Sequence, residues 1–149
     1  MTPDAIGRVQ SSYERLGDRG DALATAFYDA LFGRAPQLRR VFPDDMTSLK
    51  GHFDAALALM IRNLDALGAL EPALRDLGAQ HVHWGARPED YAIARDALVT
   101  ALRELSGASW TADLEREWRE AITAISVTML HGAAVETAVF AERLIDQQA

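Results

Sequence analysis

Residues 27–42 read FYDALFGRAPQLRRVF and contain a break between two helical segments. Pro36 has no amide hydrogen to donate, and it disfavours helical geometry in the residue before it, so a preceding helix ends at this point. The segment 37–42 is long enough for one short helix after the break. The stretch therefore predicts a long helix over 20–35, a corner at Pro36 and a short second helix.

Helical spacing of apolar residues continues on both sides of this stretch. Apolar side chains recur three and four residues apart through 53–67, 91–105 and 114–129, and no segment alternates polar and apolar residues for long enough to form a strand. The sequence predicts an all-α domain with helices at 3–16, 20–35, 37–42, 47–67, 70–83, 88–105 and 111–145. Whether the last helix bends or breaks near Gly132 stays open at this point.

Several helix ends carry their own signals. Thr111 precedes two acidic residues and is typical of an N-cap, whose side-chain oxygen accepts a hydrogen bond from the first turn. Gly17, Gly68 and Gly107 stand where apolar periodicity stops, and glycine is the residue that most often ends a helix. We therefore expect three helices to end at these glycines.

Composition limits the class of protein. The 149 residues suffice for one domain, and 49% hydrophobic with 25% charged residues is typical of a folded chain. A net charge of −7 with 15 scattered basic residues argues against a nucleic-acid partner, and the single basic pair Arg39-Arg40 is interpreted as a solvated corner. The absence of cysteine excludes disulfides, thiolate metal sites and thioether-linked cofactors.

No targeting or membrane segment is predicted. The N-terminus lacks the basic-then-apolar pattern of a signal peptide. The longest uninterrupted apolar run, residues 55–61, is far short of the roughly 20 residues that span a bilayer. We expect a cytoplasmic protein with no membrane partner.

Four histidines are the candidates for metal chemistry: His52, His81, His83 and His131. His81 ends an apolar stripe, because Leu74 and Leu77 precede it at helical spacing. An imidazole in an apolar wall needs a partner, and iron in a flat apolar cofactor is one such partner. A core histidine bonded to a backbone carbonyl explains the same pattern. His83 lies about 160° from the stripe and is expected at the surface or at the rim of a pocket.

His52 follows the same logic on another helix. Leu49, Phe53 and Ala56 lie three or four residues from it or from one another, so the spacing predicts one shared inward face. Two histidines that face inward from two helices would sandwich a haem, or one would bind iron while the other contacts a ligand. The alternative is again a core histidine, and periodicity alone does not decide.

The stretch 27–42 resembles the B–C region of bacterial haemoglobins and flavohaemoglobins, whose pattern is F-Y-x-x-[LM]-F-x-x-x-P-x-L-x-x-[ILV]-F. Residues 74–91 are similar to the proximal region of that family, with a glycine four residues and a tyrosine ten residues after the histidine. The resemblance covers residues 5–132. It implies a globin fold over 1–149, a three-over-three helical sandwich with a short or absent D helix. Residues 132–149 would extend the last helix.

The resemblance also implies the cofactor and the residues around it. The cofactor would be haem b, with His81 as the proximal iron ligand. Tyr28 matches the distal tyrosine that donates a hydrogen bond to iron-bound oxygen. The other matched residues pack on the haem or stand beside the proximal histidine: Phe42, Phe53, Leu77 and Tyr91.

The distal position departs from the family pattern. Counted back from His81, the usual histidine or glutamine is Leu49; counted forward from Phe42, the position falls on His52. We favour Leu49, because a deletion in a loop is tolerated whereas one inside a helix rotates its apolar face. His52 would then lie one turn further along, where it would contact a ligand or a propionate, or bind the iron as a sixth ligand.

The proximal side departs as well. Flavohaemoglobins carry a glutamate on the last helix that makes the proximal histidine more electron-donating, and that place falls on Ala133, with Glu136 as the nearest substitute. Without the carboxylate the iron would be less primed for oxidising chemistry. Redox turnover would also need electrons from a separate reductase.

Three functions follow from the resemblance. The leading one is reversible binding of oxygen or another diatomic gas. The second is nitric oxide dioxygenation or peroxidase-like turnover served by a reductase. The third is a regulator, either a gas sensor or a haem-free globin, in which Val135, Phe140 and Leu144 form a homodimer seam; alternatively these residues cover the domain's own core.

Overall fold

The structure, a computed structural model, describes residues 1–17, 19 and 21–148. This part of the chain is helical and contains no strand, which confirms the all-α prediction. Six α-helices run in the order α1 (Pro3–Leu16), α2 (Ala22–Arg34), α3 (Thr47–Arg62), α4 (Glu71–His83), α5 (Asp90–Ser106) and α6 (Ala112–Gln148). Three 3₁₀ helices connect them, at Pro36–Val41, Leu64–Leu70 and Gly107–Ser109.

The predicted caps explain where several helices begin and end. The Thr111 hydroxyl oxygen accepts a hydrogen bond from the Leu114 amide at 3.1 Å, which confirms the N-cap of α6. Gly17 and Gly107 follow α1 and α5 with φ of 65° and 57°, a region that favours glycine. The third predicted stop is wrong, because Gly68 lies inside a 3₁₀ helix.

Other predicted boundaries moved. The helix predicted over 47–67 ends at Arg62, because the Asn63 side-chain amide donates to the Leu59 carbonyl at 2.8 Å and Ala66 leaves helical geometry. The short helix after the Pro36 corner is a 3₁₀ helix. The helix predicted to begin at residue 20 begins at Ala22, and residue 20 itself lies outside the described residues.

Trp118 on α6 is the centre of the core. Its side chain is 0% exposed, and its indole N–H donates to the Ser12 hydroxyl at 2.8 Å. The Ser12 hydroxyl in turn donates to the Val9 carbonyl at 2.8 Å, so this buried polar group is satisfied within α1. Nearby, Arg8 forms an ion pair with the buried Glu117. These contacts attach α1 to α6, while α2 packs chiefly on α5 and α4 chiefly on α6.

Helix α6 is one continuous helix, so it does not break at Gly132. Its last residues extend beyond the core, since its buried residues end at Ala133. Its apolar side chains Val135, Phe140, Leu144 and Ile145 are exposed, the last by 66%. They do not cover the domain's own core, so that alternative is wrong. By length and composition α6 could cross a membrane. Its first half carries buried core residues, however, and helices in the core of a folded domain can have the same length and composition.

Candidate functional site

His81 lies near the end of α4 with a fixed ring orientation. Its Nδ1 is 2.7 Å from the Leu77 carbonyl oxygen, which can only accept, so Nδ1 carries the proton. Burial lowers the pKa of His81, partly offset by the bond to Leu77, and the imidazole is neutral at pH 7. The Nε2 lone pair is therefore available to a metal. The rings of Trp84 and Tyr91 flank the imidazole, with centroids 5.0 and 6.1 Å away.

A cluster of aromatic rings forms where α2, α3 and the Pro36 corner meet. The Tyr28 ring centroid lies 5.7 Å from both the Phe42 and the Phe53 centroids. Phe27 stacks on Phe53 at 4.5 Å. Burial raises the pKa of Tyr28 to about 12, with a further contribution from the nearby Asp54, so the phenol keeps its proton at neutral pH. The Tyr28 hydroxyl can therefore act as a hydrogen-bond donor.

The two conspicuous stretches of the sequence meet in space. Gly85, just after α4, is a neighbour of Val41, because an added Cβ would be in van der Waals contact with a Val41 methyl carbon at 3.6 Å. Phe42 follows Val41, so the aromatic cluster stands next to the end of the helix that carries His81. Leu49 on α3 and Leu77, one turn before His81 on α4, are half-buried and pack against the core. The arrangement places a neutral imidazole, a phenol donor and several apolar side chains around one part of the fold.

A model of the globin family matches residues 25–129. The chain belongs to the globin family. The globin is 31% identical over 126 residues to the flavohemoprotein of Vibrio cholerae and 27% identical over 121 residues to that of Bacillus subtilis. These matches cover 81% and 79% of this chain but only 32% and 30% of the relatives, so the chain spans about a third of their length.

Solved structures agree on the fold. An engineered carbene transferase from Rhodothermus marinus, provisionally assigned as a nitric oxide dioxygenase, superposes with a TM-score of 0.85 at 25% identity, covering 95% of this globin and 99% of that chain. A bacterial globin from Campylobacter jejuni gives a TM-score of 0.77 at 18% identity, with 93% and 99% covered. The predicted globin fold is confirmed, and haem is the cofactor of this globin.

The residues of the globin fit this cofactor. Haem iron takes an axial ligand with a free lone pair, and the flat macrocycle takes apolar surroundings; His81 Nε2 and the aromatic cluster can supply these. Among the described residues, no group of three or more histidine, cysteine or acidic side chains could hold a bare metal ion. The donor set therefore suits iron in a macrocycle better than a free ion.

The prediction that His52 faces the interior is wrong. His52 is exposed, whereas Leu49, Phe53 and Ala56 are half-buried. The buried face of α3 is centred on Phe53 and Leu57, and at about 100° per residue His52 points roughly 100° away from Phe53. Three-and-four spacing is compatible with an exposed His52, because a residue at the edge of an apolar stripe has the same spacing as the buried residues but faces solvent. The sixth-ligand prediction for His52 has no support in this geometry.

Glu136 does not replace the missing proximal carboxylate. Its Oε1 lies 2.9 Å from Nε2 of His83, which is exposed as predicted, and not beside His81. Ala133 is buried, and the hydroxyl of Tyr91 is buried without a hydrogen-bond partner in the part of the chain that the structure describes. The His81 imidazole is therefore bonded to a neutral carbonyl and to no carboxylate in the described part of the chain.

Sequence reasoning missed two contributors to the site. Trp84, 52% exposed, packs its ring against His81. The signal for this contact is that Trp84 lies three residues after His81, a spacing that brings side chains together on a helix. Arg39 was interpreted as part of a solvated corner; it is partly exposed there, but it also makes specific contacts. Its guanidinium lies 5.4 Å from the Phe32 ring centre and donates to the Phe42 and Pro43 carbonyls at 3.3 and 3.0 Å. Arg39 thereby holds the corner that presents Phe42.

Proposed function

We propose that this globin holds haem b through His81 Nε2 and binds oxygen or another diatomic gas reversibly on the side of Tyr28. Ferrous haem supplies the gas affinity; the chain supplies the ligand, the donor and the exclusion of water. The observation that carries the proposal is the 2.7 Å bond from His81 Nδ1 to the Leu77 carbonyl, because it leaves Nε2 free. Phe42 and Phe53 on one side and Leu77 on the other would exclude water.

Tyr28 is assigned the polar role in the pocket. A phenol whose pKa is about 12 stays protonated and donates to a ligand that carries partial negative charge. Leu49, at the usual distal position, offers no donor, so the proposal assigns this role to Tyr28. Tyr91 and Leu77 are assigned to the proximal side with His81.

Tyr28→Phe tests this assignment. A hydrogen bond to a partly charged acceptor contributes roughly 1.5–3 kcal/mol, which corresponds to about a 10- to 150-fold faster oxygen dissociation. Stopped-flow replacement of oxygen by carbon monoxide measures the rate. Tyr13→Phe is the matched control, since Tyr13 lies on α1 against Trp118 and is expected to leave the rate unchanged. An unchanged rate in Tyr28→Phe would remove the proposed role of its hydroxyl.

Nitric oxide dioxygenation by means of a separate reductase is the second candidate. It is favoured by the similarity to flavohemoproteins and to the Rhodothermus marinus protein. Nitric oxide, oxygen and one electron together yield nitrate, and the electron would have to come from a flavin reductase. The neutral carbonyl partner of His81 argues against strongly oxidising, peroxidase-like turnover, because a carboxylate partner makes the imidazole more electron-donating than a neutral carbonyl does.

Mixing oxygen-equilibrated protein with nitric oxide separates the two functions. Stoichiometric nitrate within milliseconds, followed by re-reduction with a flavin reductase and sustained turnover, would favour the enzyme. Nitrate formation without re-reduction by such a reductase would leave gas binding as the function. A protein that stays colourless after addition of haemin would favour the haem-free regulator instead.

The domain extent, the partner surface and the location stay predictions. We infer one globin domain over 1–149, with residues 132–149 as a helical extension, in the cytoplasm. The exposed Val135, Phe140 and Leu144 support the predicted homodimer seam, because unpaired apolar side chains favour association. Sedimentation of Phe140→Glu beside the unsubstituted protein tests it: a monomer in both cases would contradict the seam.

A further inference from the structure

Helices α4 and α6 touch backbone to backbone at two glycines. A Cβ built on Gly78 would lie 2.6 Å from the Met129 carbonyl carbon, and one built on Gly132 would lie 2.6 Å from the Arg75 carbonyl carbon. Both positions are sterically closed to a side chain, and the obstacles are main-chain atoms that cannot rotate away. Any other residue at either position therefore has to push the two helices apart.

The contact lies next to the proximal imidazole. Gly78 directly follows Leu77, whose carbonyl accepts the hydrogen bond from His81. On the other side of His81, the His83 ring is bonded to Glu136 of α6. Helix α4 is thus attached to α6 both before and after His81. Because interiors are close-packed and transmit strain, a displacement at Gly78 moves the Leu77 carbonyl and the imidazole together.

Both glycines stand in helix interiors, where glycine is less favourable than alanine. Not every helical glycine here is enclosed: Gly51 on α3 has open space where a Cβ would go. Gly78 and Gly132 are buried in the backbone contact whereas Gly51 is exposed, so Gly51 is a control for the effect of an added methyl group on a helix without that contact.

We propose that Gly78 and Gly132 are positioning residues for the proximal ligand: they let α6 fix the place and orientation of His81 through direct backbone contact. The proposal rests on the proposed function, in which His81 binds the haem iron. Gly78 and Gly132 themselves touch neither the metal nor a gas ligand; they act through α4.

The test compares Gly78→Ala and Gly132→Ala with Gly51→Ala in haem-reconstituted protein. We expect a shifted iron–histidine stretching band in the resonance Raman spectrum of the ferrous form of the first two variants. We also expect haem transfer to an excess of an acceptor apoglobin to be faster by about 10-fold or more, the effect typical of losing an outer-shell partner. Gly51→Ala should match the unsubstituted protein. Gly78→Ala and Gly132→Ala are called the crossing variants, because both glycines lie where α4 crosses α6. An unchanged band and an unchanged haem transfer rate in both crossing variants would overturn the proposal.

A second variant, His81→Gly supplied with imidazole, distinguishes a positioning role of the glycines from a general loosening of the fold. In His81→Gly supplied with imidazole, the ligand is no longer attached to α4. Adding Gly132→Ala to His81→Gly should leave the iron–imidazole band unchanged. A shift as large as the one that Gly132→Ala causes in the protein with His81 intact would overturn the proposal. If the alanine variants lose their helical circular dichroism, the comparison of His81 with free imidazole still decides, since identical bands would show that α4 imposes no orientation.

Amide hydrogen exchange in the apoprotein distinguishes failure of this inference from failure of the proposed function. We expect faster exchange at residues 81 and 82 in both crossing variants than in Gly51→Ala. Absence of haem binding in the unsubstituted protein would refute the proposed function, whereas unchanged exchange would refute the positioning role by itself.

Discussion

His81→Ala is expected to abolish specific haem binding. The substitution removes the nitrogen that the proposed function assigns to the iron, and no other histidine occupies an equivalent place: His52, His83 and His131 are all exposed. Loss of an outer-shell partner alone costs a metal site roughly 10- to 100-fold in affinity, and loss of the inner ligand should cost more. Titration of the apoprotein with haemin, followed by absorbance, measures the effect.

His52→Ala is the matched control for this experiment. His52 lies on α3, is exposed and is assigned no role in the proposed function, so its removal should leave the haem affinity and the absorption bands close to those of the unsubstituted protein. Imidazole added to His81→Gly should restore a ferrous spectrum with a nitrogen ligand. If His81→Ala instead binds haem with the original bands and affinity, the iron is held elsewhere and the proposed function fails.

Trp118→Ala is expected to lower the free energy of unfolding by about 3–5 kcal/mol, the range found when a large buried aromatic side chain is truncated. The side chain is 0% exposed and fills the junction of α1 and α6, so the substitution leaves a cavity. Such a loss is a large share of the 5–15 kcal/mol by which domains are typically stable. Urea unfolding of the apoprotein, followed by circular dichroism, measures it without the added stabilisation of bound haem.

Trp118→Phe divides this effect into its parts. Phenylalanine keeps most of the volume but loses the N–H that donates to Ser12, and the Ser12 hydroxyl keeps its bond to Val9. We therefore expect a loss of about 1–2 kcal/mol, mostly the hydrogen bond and imperfect packing. Trp84→Ala, at a half-exposed position, should cost far less than Trp118→Ala. Equal losses for Trp84→Ala and Trp118→Ala would contradict the assignment of Trp118 to the centre of the core.

Local features of the chain were predictable because their causes are local. Pro36 ends α2 through its own ring, and Thr111 caps α6 through its own hydroxyl. The partly buried place of His81 was predictable from the apolar stripe that precedes it, and its bond to Leu77 spans a single helical turn. The motif around Phe42 indicated the family directly, because members of one family share both the motif and the fold.

Other features depended on pairs of segments that are distant in sequence. The exposure of His52 follows from which face of α3 meets α2, and three-and-four spacing left two neighbouring faces open. The close approach of Gly78 to Met129 depends on how α4 crosses α6. Helical periodicity determines which side chains share a stripe. The partner of that stripe and the distance to it are determined only when the whole chain has packed, because burial is a property of two surfaces in contact.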